Sequence, residues 1–138
     1  MFGHDSVKRV SAYLGALNSD AAERLVLTTS RPLTITKAYL LNEGAVTAND
    51  TNYLTGSLIN RGTGGSGATV AAQRSTTVAG GGISSKVPWE LTLSSSAANL
   101  VLDAGEALSY VHNEGGSGQD LTDAQLVIEY VLGTGPAQ

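Results

Sequence analysis

The chain has 138 residues, enough for one domain that buries a hydrophobic core without metals or disulfides. Charged residues make up 14% of it, the formal net charge is −4, and cysteine is absent. This composition excludes a disulfide framework and a thiolate metal site. It also disfavours nucleic-acid binding, which needs clustered Lys or Arg and not a few scattered bases in an acidic chain.

The basic residues are confined to one part of the chain. All 8 Lys and Arg residues lie within residues 1–86, and none follows. Complementary contacts between copies of the chain would be one use for this asymmetry. Scattered, solvated charge on a compact fold is the alternative that the sequence leaves open.

The sequence predicts neither secretion nor membrane insertion. Residues 1–10 lack the apolar segment of a secretory signal. No apolar run approaches the roughly 20 residues that span a bilayer. We therefore expect a soluble protein that is made in the cytoplasm.

The beginning of the chain predicts an extended N-terminal arm over residues 1–12, although the alternation in residues 7–14 also allows a weak strand. Met1 and Phe2 precede a polar stretch with nothing local to bury them, and Lys8 and Arg9 are the only adjacent pair of bases. We expect these four residues to contact a neighbouring subunit or another protein, as an apolar hook next to positive charge. The alternative is a disordered terminus.

The segment after the arm predicts a turn followed by a well-defined strand. Asp20 and Glu23 have the spacing of a capping box, which allows one helical turn before an extended segment at residues 25–29. Residues 33–41 then show the two-residue period of a strand. The predicted faces of this strand carry Leu33, Ile35, Lys37, Tyr39 and Leu41 on one side and Thr34, Thr36, Ala38 and Leu40 on the other.

A glycine-rich segment at residues 62–67, "GTGGSG", separates two further predicted strands, at residues 52–60 and 68–78. A phosphate-binding loop would need a helix N-terminus and, in its best-known form, a Lys directly after the glycines. The next lysine is Lys86, and the segment that follows the glycines starts with Ala, Thr and Val. The sequence therefore favours a turn between strands.

The last third of the chain predicts four short strands. In the first of them, residues 89–94, Trp89, Leu91 and Leu93 alternate with polar residues, so that one face is buried. This alternation favours Trp89 as a core residue over an exposed contact for a partner. Further strands are predicted at residues 98–103, 106–113 and 124–133.

Eight or nine short strands joined by Gly, Asn and Asp turns predict an all-β fold. Loops too long for tight hairpins favour a Greek-key jelly roll, built as a sandwich or barrel of about eight strands. We expect this domain to span residues 13–133 and to be followed by a C-terminal tail at residues 134–138. Its predicted common core includes Ile35, Tyr39, Leu91, Leu93, Ile128 and Tyr130.

The residues that could carry chemistry do not form a catalytic or metal-binding pattern. His4 lies in the arm, and His112 precedes Glu114 by two residues, so a strand would place that pair on one face. Two ligands are too few for a closed metal site, and a lone surface histidine is the favoured interpretation of His112. Acidic pairs at turns more often bond the local backbone. Two such pairs are Asp103 with Glu106 and Asp120 with Asp123.

The order of elements over residues 33–131 resembles the small jelly-roll cement, or decoration, proteins of tailed-phage heads. The resemblance lies in a strand that leads into "TANDTNY", a Gly- and Ser-rich turn, "ELTLSSSAANLVLDAGEAL" and a final "LVIEY" strand. Residues 1–30 lie outside it, so it implies nothing about attachment through the arm. The family has no shared active-site motif, so no functional residue is carried over.

This resemblance implies a structural virion protein and not an enzyme. Such a protein binds the outer surface of an assembled capsid as a homotrimer, at threefold and local threefold positions, and clamps adjacent capsomers against internal pressure. The implied partner is the major capsid protein, and the implied location is the capsid outer surface after synthesis in the host cytoplasm. We expect no cofactor and no nucleic-acid or membrane partner.

Two other functions remain open from the sequence. A phage tail-fibre or carbohydrate-binding jelly roll would need exposed aromatic side chains for sugar stacking, and aromatic residues make up only 5% of the chain. A cupin-like enzyme would need clustered histidines, and the chain has 2 that lie far apart. We rank the carbohydrate-binding module second and the enzyme third.

Overall fold

The structure of the chain is a computed structural model that describes residues 7–133. These residues form ten strands and one short 3-10 turn at Ala97–Leu100. The strands are β1 (Lys8–Leu17), β2 (Ala22–Thr28), β3 (Leu33–Asn42), β4 (Tyr53–Gly62), β5 (Thr69–Ser75), β6 (Trp89–Glu90), β7 (Thr92–Leu93), β8 (Val101–Leu102), β9 (Ala107–Gly115) and β10 (Leu121–Leu132).

Two five-stranded antiparallel sheets pack face to face. Sheet A has the order β1-β10-β3-β6, and β8 also pairs with β3. Sheet B has the order β2-β9-β4-β5-β7. Because the chain passes repeatedly from one sheet to the other, the architecture is an all-β, jelly-roll-like sandwich, and the predicted fold class is confirmed.

The core lies between the inner faces of the two sheets and is built mainly from Leu, Ile and Ala. The core has this composition because apolar residues, mostly aliphatic, alternate with polar residues along the strands. Leu17, Leu40, Leu58 and Leu126 are among its fully buried members. Tyr110 is the largest fully buried side chain. The core is therefore aliphatic, with little aromatic surface.

A bulge in β3 changes the face that part of this strand buries. The register between β10 and β3 shifts at Thr36, which adds one residue to β3. As a result Ile35 is buried before the bulge, whereas Ala38 and Leu40 are buried after it. The predicted strand at residues 33–41 is confirmed, but the prediction that Tyr39 belongs to the core is wrong, because the bulge turns it outward.

The other five predicted core residues lie in or against the core. Ile35, Leu91 and Ile128 are fully or almost fully buried members of it. Leu93 and Tyr130 are partly buried and pack against it.

The predicted strand at residues 89–94 is divided between the two sheets. Trp89 and Glu90 pair with β3 in sheet A, and the next two-residue strand, β7, pairs with β5 in sheet B. Leu91 lies at the crossing point and is buried. Trp89 is 3% exposed, which confirms it as a core residue. Its Nε1 donates a hydrogen bond to the Gly81 carbonyl at 3.1 Å, and the Arg74 guanidinium lies 4.7 Å from its ring.

The predicted arm at residues 1–12 needs a correction from Lys8 onward. Residues 8–12 form the first half of β1 and pair in register with β10, from Lys8 opposite Tyr130 to Ala12 opposite Leu126. They belong to the sandwich because Val10 packs against the core while its neighbours face outward. Residues 1–6 lie outside the described residues.

The possible helical turn at Asp20 and Glu23 is also not formed. Ala21 has a φ of 64°, which a helix does not allow, and β2 begins at the next residue. The Asp20 carboxylate accepts a hydrogen bond from the backbone N–H of Glu114 at 2.8 Å, so it binds β9 and does not cap a helix.

The glycine-rich segment at residues 62–67 forms a turn between β4 and β5, as predicted. Gly62 and Gly65 have φ values of 70° and 85°, which residues other than glycine rarely adopt. The Gly67 N–H closes the turn on the Arg61 carbonyl at 2.9 Å. A β-strand follows where a phosphate-binding loop would lead into a helix.

Candidate interaction surfaces

The first surface is the side of the sandwich formed by β1 and β2. Both are terminal strands of their sheets, and within residues 7–133 no strand pairs with their outer edges. Three large apolar side chains are exposed there, Val7 (61%), Tyr13 (74%) and Leu25 (76%). Unpaired edges with apolar side chains are sites of association in β proteins. We call this surface the β1–β2 side.

Arg24 covers the second half of the β1 edge. Its guanidinium donates hydrogen bonds to the carbonyls of Leu14 and Ala16, at 3.2 and 3.4 Å. These carbonyls are thereby unavailable for pairing with another strand. Among residues 7–133 no side chain covers the first half of β1 in this way, and this half carries the predicted contact residues Lys8 and Arg9. Both are exposed, whereas the predicted contacts Met1 and Phe2 lie outside the described residues.

The second surface is the outer face of sheet A. The register aligns three rows of outward side chains across β1, β10 and β3. These rows are Arg9–Glu129–Lys37, Ser11–Val127–Tyr39 and Tyr13–Gln125–Leu41. Their neighbours along each strand point into the core.

A groove of about 340 Å³ lies at the Tyr13 end of this face. The Tyr13 hydroxyl donates a hydrogen bond to Asp123 Oδ1 at 2.6 Å, and this bond raises the pKa of the hydroxyl. Lys86 and Glu43 form an ion pair on the opposite wall, at 3.0 Å. Leu41 is the apolar residue between these walls.

A second groove, of about 250 Å³, lies at the other end of the same face. Tyr39 lines it, and the Lys37 ammonium lies 6.0 Å from the centre of the tyrosine ring. Arg9 pairs with Glu129 at 3.2 Å on the other side of the groove. The outer face of sheet A therefore combines two partly exposed tyrosines with ionic side chains of both signs.

An ion pair covers part of the outer face of sheet B. Arg61 binds both carboxylate oxygens of Glu23, through Nε at 2.9 Å and Nη2 at 2.8 Å. The pair lies beside Ser109, which is fully buried although it faces away from the core. The hydrogen bonds from Arg61 hold the pKa of Glu23 below its usual range.

His112 is buried, which corrects the prediction of a surface histidine. It is 0% exposed, because it lies on the same inward face of β9 as the core residues Leu108 and Tyr110. Its Nε2 lies 3.2 Å from Glu114 Oε2, so the pair shares one face as predicted, while Nδ1 has no hydrogen-bond partner within the described part of the chain. Among residues 7–133 there is no group of three or more potential ligands placed for a metal ion.

The two acidic pairs that were predicted at turns form different kinds of contact in the structure. Glu106 accepts hydrogen bonds from the Asp103 N–H at 2.8 Å and from Asn60 at 3.0 Å, which is the structural role that the sequence predicted. Asp123 instead binds the Tyr13 side chain, 110 positions away along the chain. Sequence reasoning missed this contact, because only the pairing of β1 with β10 brings the two residues together.

Comparison with known sequences leaves the chain without an assigned family, since no protein-family model and no curated protein matches it. Within the described residues, no helix is long and apolar enough to cross a bilayer.

Proposed function

We propose that this protein is a capsid decoration, or cement, protein of a tailed phage, which binds the outer surface of the head and stabilises contacts between capsomers. It acts as a homotrimer, its partner is the major capsid protein, and it performs no catalysis. The observation that carries the proposal is the β1–β2 side, where two unpaired edges meet and Val7, Tyr13 and Leu25 are exposed. The resemblance of residues 33–131 to decoration proteins supports the major capsid protein as the partner.

The β1–β2 side has the physical properties of a surface that is covered in an assembly. An unpaired edge presents backbone N–H and C=O groups that a neighbouring chain can satisfy. Burial of one large apolar side chain contributes about 1.5–3 kcal/mol, so Leu25 alone is a substantial contact. When many copies bind one shell, weak contacts add up through effective concentration.

The charge distribution supports contacts of the same surface with an acidic neighbour. Lys8 is exposed at the start of β1, next to Val7, and Arg9 follows it with its charge paired to Glu129. Basic residues end at Lys86, so the later part of each chain offers only acidic partners. Opposite charges on facing surfaces orient an encounter and exclude wrong registers.

The test measures binding to purified undecorated heads by co-sedimentation, with two matched variants. Leu25→Ser removes an apolar side chain from the β1–β2 side, and Val78→Ser removes one of similar exposure (64%) from a loop elsewhere. We expect Leu25→Ser to weaken binding at least about tenfold, a loss of about 1.4 kcal/mol, and Val78→Ser to bind like the unmodified chain. Equal binding by both variants, or no binding of the unmodified chain, would contradict the proposal.

Deletion of residues 1–6 tests the proposed contacts of Met1 and Phe2 separately. If these residues act as an apolar hook, the shortened chain binds heads more weakly than the full chain, by a margin similar to that of Leu25→Ser. Unchanged affinity and unchanged trimer stability would remove both residues from the contact set and leave the β1–β2 side as the binding surface.

A further inference from the structure

The outer face of sheet A displays two tyrosines at a spacing set by the sheet. Tyr13 lies opposite Gln125 and Tyr39 lies opposite Val127, so the two rings are two strands and two residues apart. With ~4.8 Å between strands and ~3.3 Å per residue, their Cα atoms are about 12 Å apart. A short run of linked pyranose rings spans such a distance. Each tyrosine lines its own groove, and both grooves open on the same face.

The groove at Tyr13 brings together the groups that bind a sugar. The ring is 74% exposed, and its hydroxyl is held by Asp123, which fixes the orientation of the ring. An exposed aromatic face can pack against the C–H groups of a pyranose, while a polar rim binds its hydroxyls. The Gln125 side chain makes no hydrogen bond within residues 7–133 and lies in the same groove. Asp123 and Gln125 thus offer an acceptor and an amide beside an aromatic platform.

The ionic side chains of this face favour a neutral ligand. Lys86 pairs with Glu43 at 3.0 Å, and Arg9 pairs with Glu129 at 3.2 Å. Lys37 is the third base of this face, and the lining of the two grooves sets these three bases beside four acidic residues, Glu43, Glu90, Asp123 and Glu129. A face whose bases are balanced by carboxylates offers little attraction to a phosphate chain or an acidic polysaccharide. Uncharged hydroxyl groups can bind the same side chains without breaking the pairs.

The mixture of residues in the groove also argues against a protein partner at this position. The buried centre of a protein interface is depleted of charged side chains. Here Leu41 lies among Glu43, Lys86 and Asp123, so three charged side chains line the groove.

We propose that the outer face of sheet A binds a neutral oligosaccharide, with one pyranose ring on Tyr13 and a later ring of the same chain at Tyr39. Tyr13 lies at the border between this face and the β1–β2 side, to which we assign attachment to a capsid, whereas Leu25 belongs to the β1–β2 side alone. The scarcity of aromatic residues ranks this function second on the sequence alone, but the folded chain places two of its five tyrosines on one exposed sheet face.

The test uses the full chain and three soluble probes of different shape: cellohexaose, maltohexaose and chitohexaose. Calorimetry measures affinity, and amide chemical shifts in ¹⁵N-labelled protein locate the site. We expect at least one probe to bind and to shift amides of β1, β3 and β10. Binding of none of them up to about 10 mM, well above the Kd of a weak millimolar site, would overturn the proposal, as would shifts confined to sheet B.

Two variants decide whether Tyr13 provides the platform. Tyr13→Ala is expected to weaken the best probe about tenfold or more, whereas Tyr13→Phe keeps the ring and is expected to lose less. Leu25→Ala, an equally exposed apolar residue of sheet B, is the matched control and is expected to bind within about twofold of the unmodified chain. If Tyr13→Ala binds as well as Leu25→Ala, the proposal is wrong.

Discussion

At the scale of single residues, close packing against the one buried tyrosine of the core requires a glycine in β4. Tyr110 is fully buried, and burial raises the pKa of its hydroxyl. That hydroxyl lies directly against Gly56, where a Cβ atom would overlap it. A glycine is therefore required at this point of β4 for space, although its backbone conformation is ordinary.

Gly56→Ala is expected to destabilise the protein by about 1–3 kcal/mol, because the added methyl group must displace a buried ring. Gly64→Ala is the control, since nothing lies within 4 Å of the position that its added methyl group would occupy, and it should change stability by no more than about 0.5 kcal/mol. Urea unfolding of both variants measures the difference. Tyr110→Phe removes the hydroxyl and should reduce the cost of Gly56→Ala, and a cost that is unchanged in that background would refute the steric explanation.

The Asp20 carboxylate is a second residue with a testable effect, because its contact predicts that the stability of the fold depends on pH. The Glu114 N–H, as the largest influence, holds the pKa of Asp20 below its usual value of 3.8. A lowered pKa in the folded state means that the carboxylate stabilises the fold above the unfolded pKa, and that this contribution is lost as the pH falls through the folded value.

Asp20→Asn should therefore lower the urea midpoint at pH 7, and the difference from the unmodified chain should shrink below about pH 4. Asp120→Asn is the matched control, because the Asp120 side chain makes no hydrogen bond within residues 7–133, and it should leave the midpoint unchanged at both pH values. A constant difference for Asp20→Asn between pH 7 and pH 3 would show that the charge is not what stabilises the contact.

At the scale of elements, each sheet has central strands that are paired along both edges and terminal strands that are paired along one edge. β10 is paired on both sides, by β1 and β3, and β9 is paired on both sides, by β2 and β4. The strands of the β1–β2 side have one neighbour each. Arg24 provides part of the hydrogen bonding that a neighbouring strand would give β1, because its guanidinium donates to the Leu14 and Ala16 carbonyls.

The rate of amide hydrogen exchange should depend on whether a strand is paired along both edges or along one. In the free protein, β9 and β10 are expected to exchange slowest, and β2 with the Lys8–Tyr13 half of β1 faster, because these edges open without loss of the core. On decorated heads, the exchange of this edge region should slow while that of β7, the far edge of sheet B, stays the same. Protection that appears at β7 instead would place the binding surface on the opposite side of the sandwich.

At the scale of the whole molecule, the sandwich is small and weakly charged, with 14% charged residues and a net charge of −4. Such a surface repels copies of itself little, and small side chains allow close approach. Contacts between copies close into a ring if each copy offers two complementary patches, and these patches lie outside the β1–β2 side, which we assign to the capsid.

The purified chain is therefore expected to be a trimer of 14.1 kDa subunits at micromolar concentration. Light scattering measures the mass directly. A monomer at micromolar concentration would contradict the homotrimer, without bearing on saccharide binding at the outer face of sheet A.

The sequence by itself determined the fold class and most of the strands. Two-residue alternation in residues 33–41 and 124–133 and glycines at residues 62–67 are local signals, and strands and turns form from local preferences. The core positions of Trp89 and Ile128 follow from the same alternation.

Only the tertiary structure decided which face each strand presents and which distant side chains meet. The bulge at Thr36 reverses the faces of β3 and turns Tyr39 outward, because a bulge depends on how β10 pairs with it and not on the sequence of β3 alone. Burial of His112 depends on the packing of sheet A against the inward face of β9, which also carries Leu108 and Tyr110. The contact of Tyr13 with Asp123 exists because the first and last strands pair, and no local pattern encodes a partner 110 positions away.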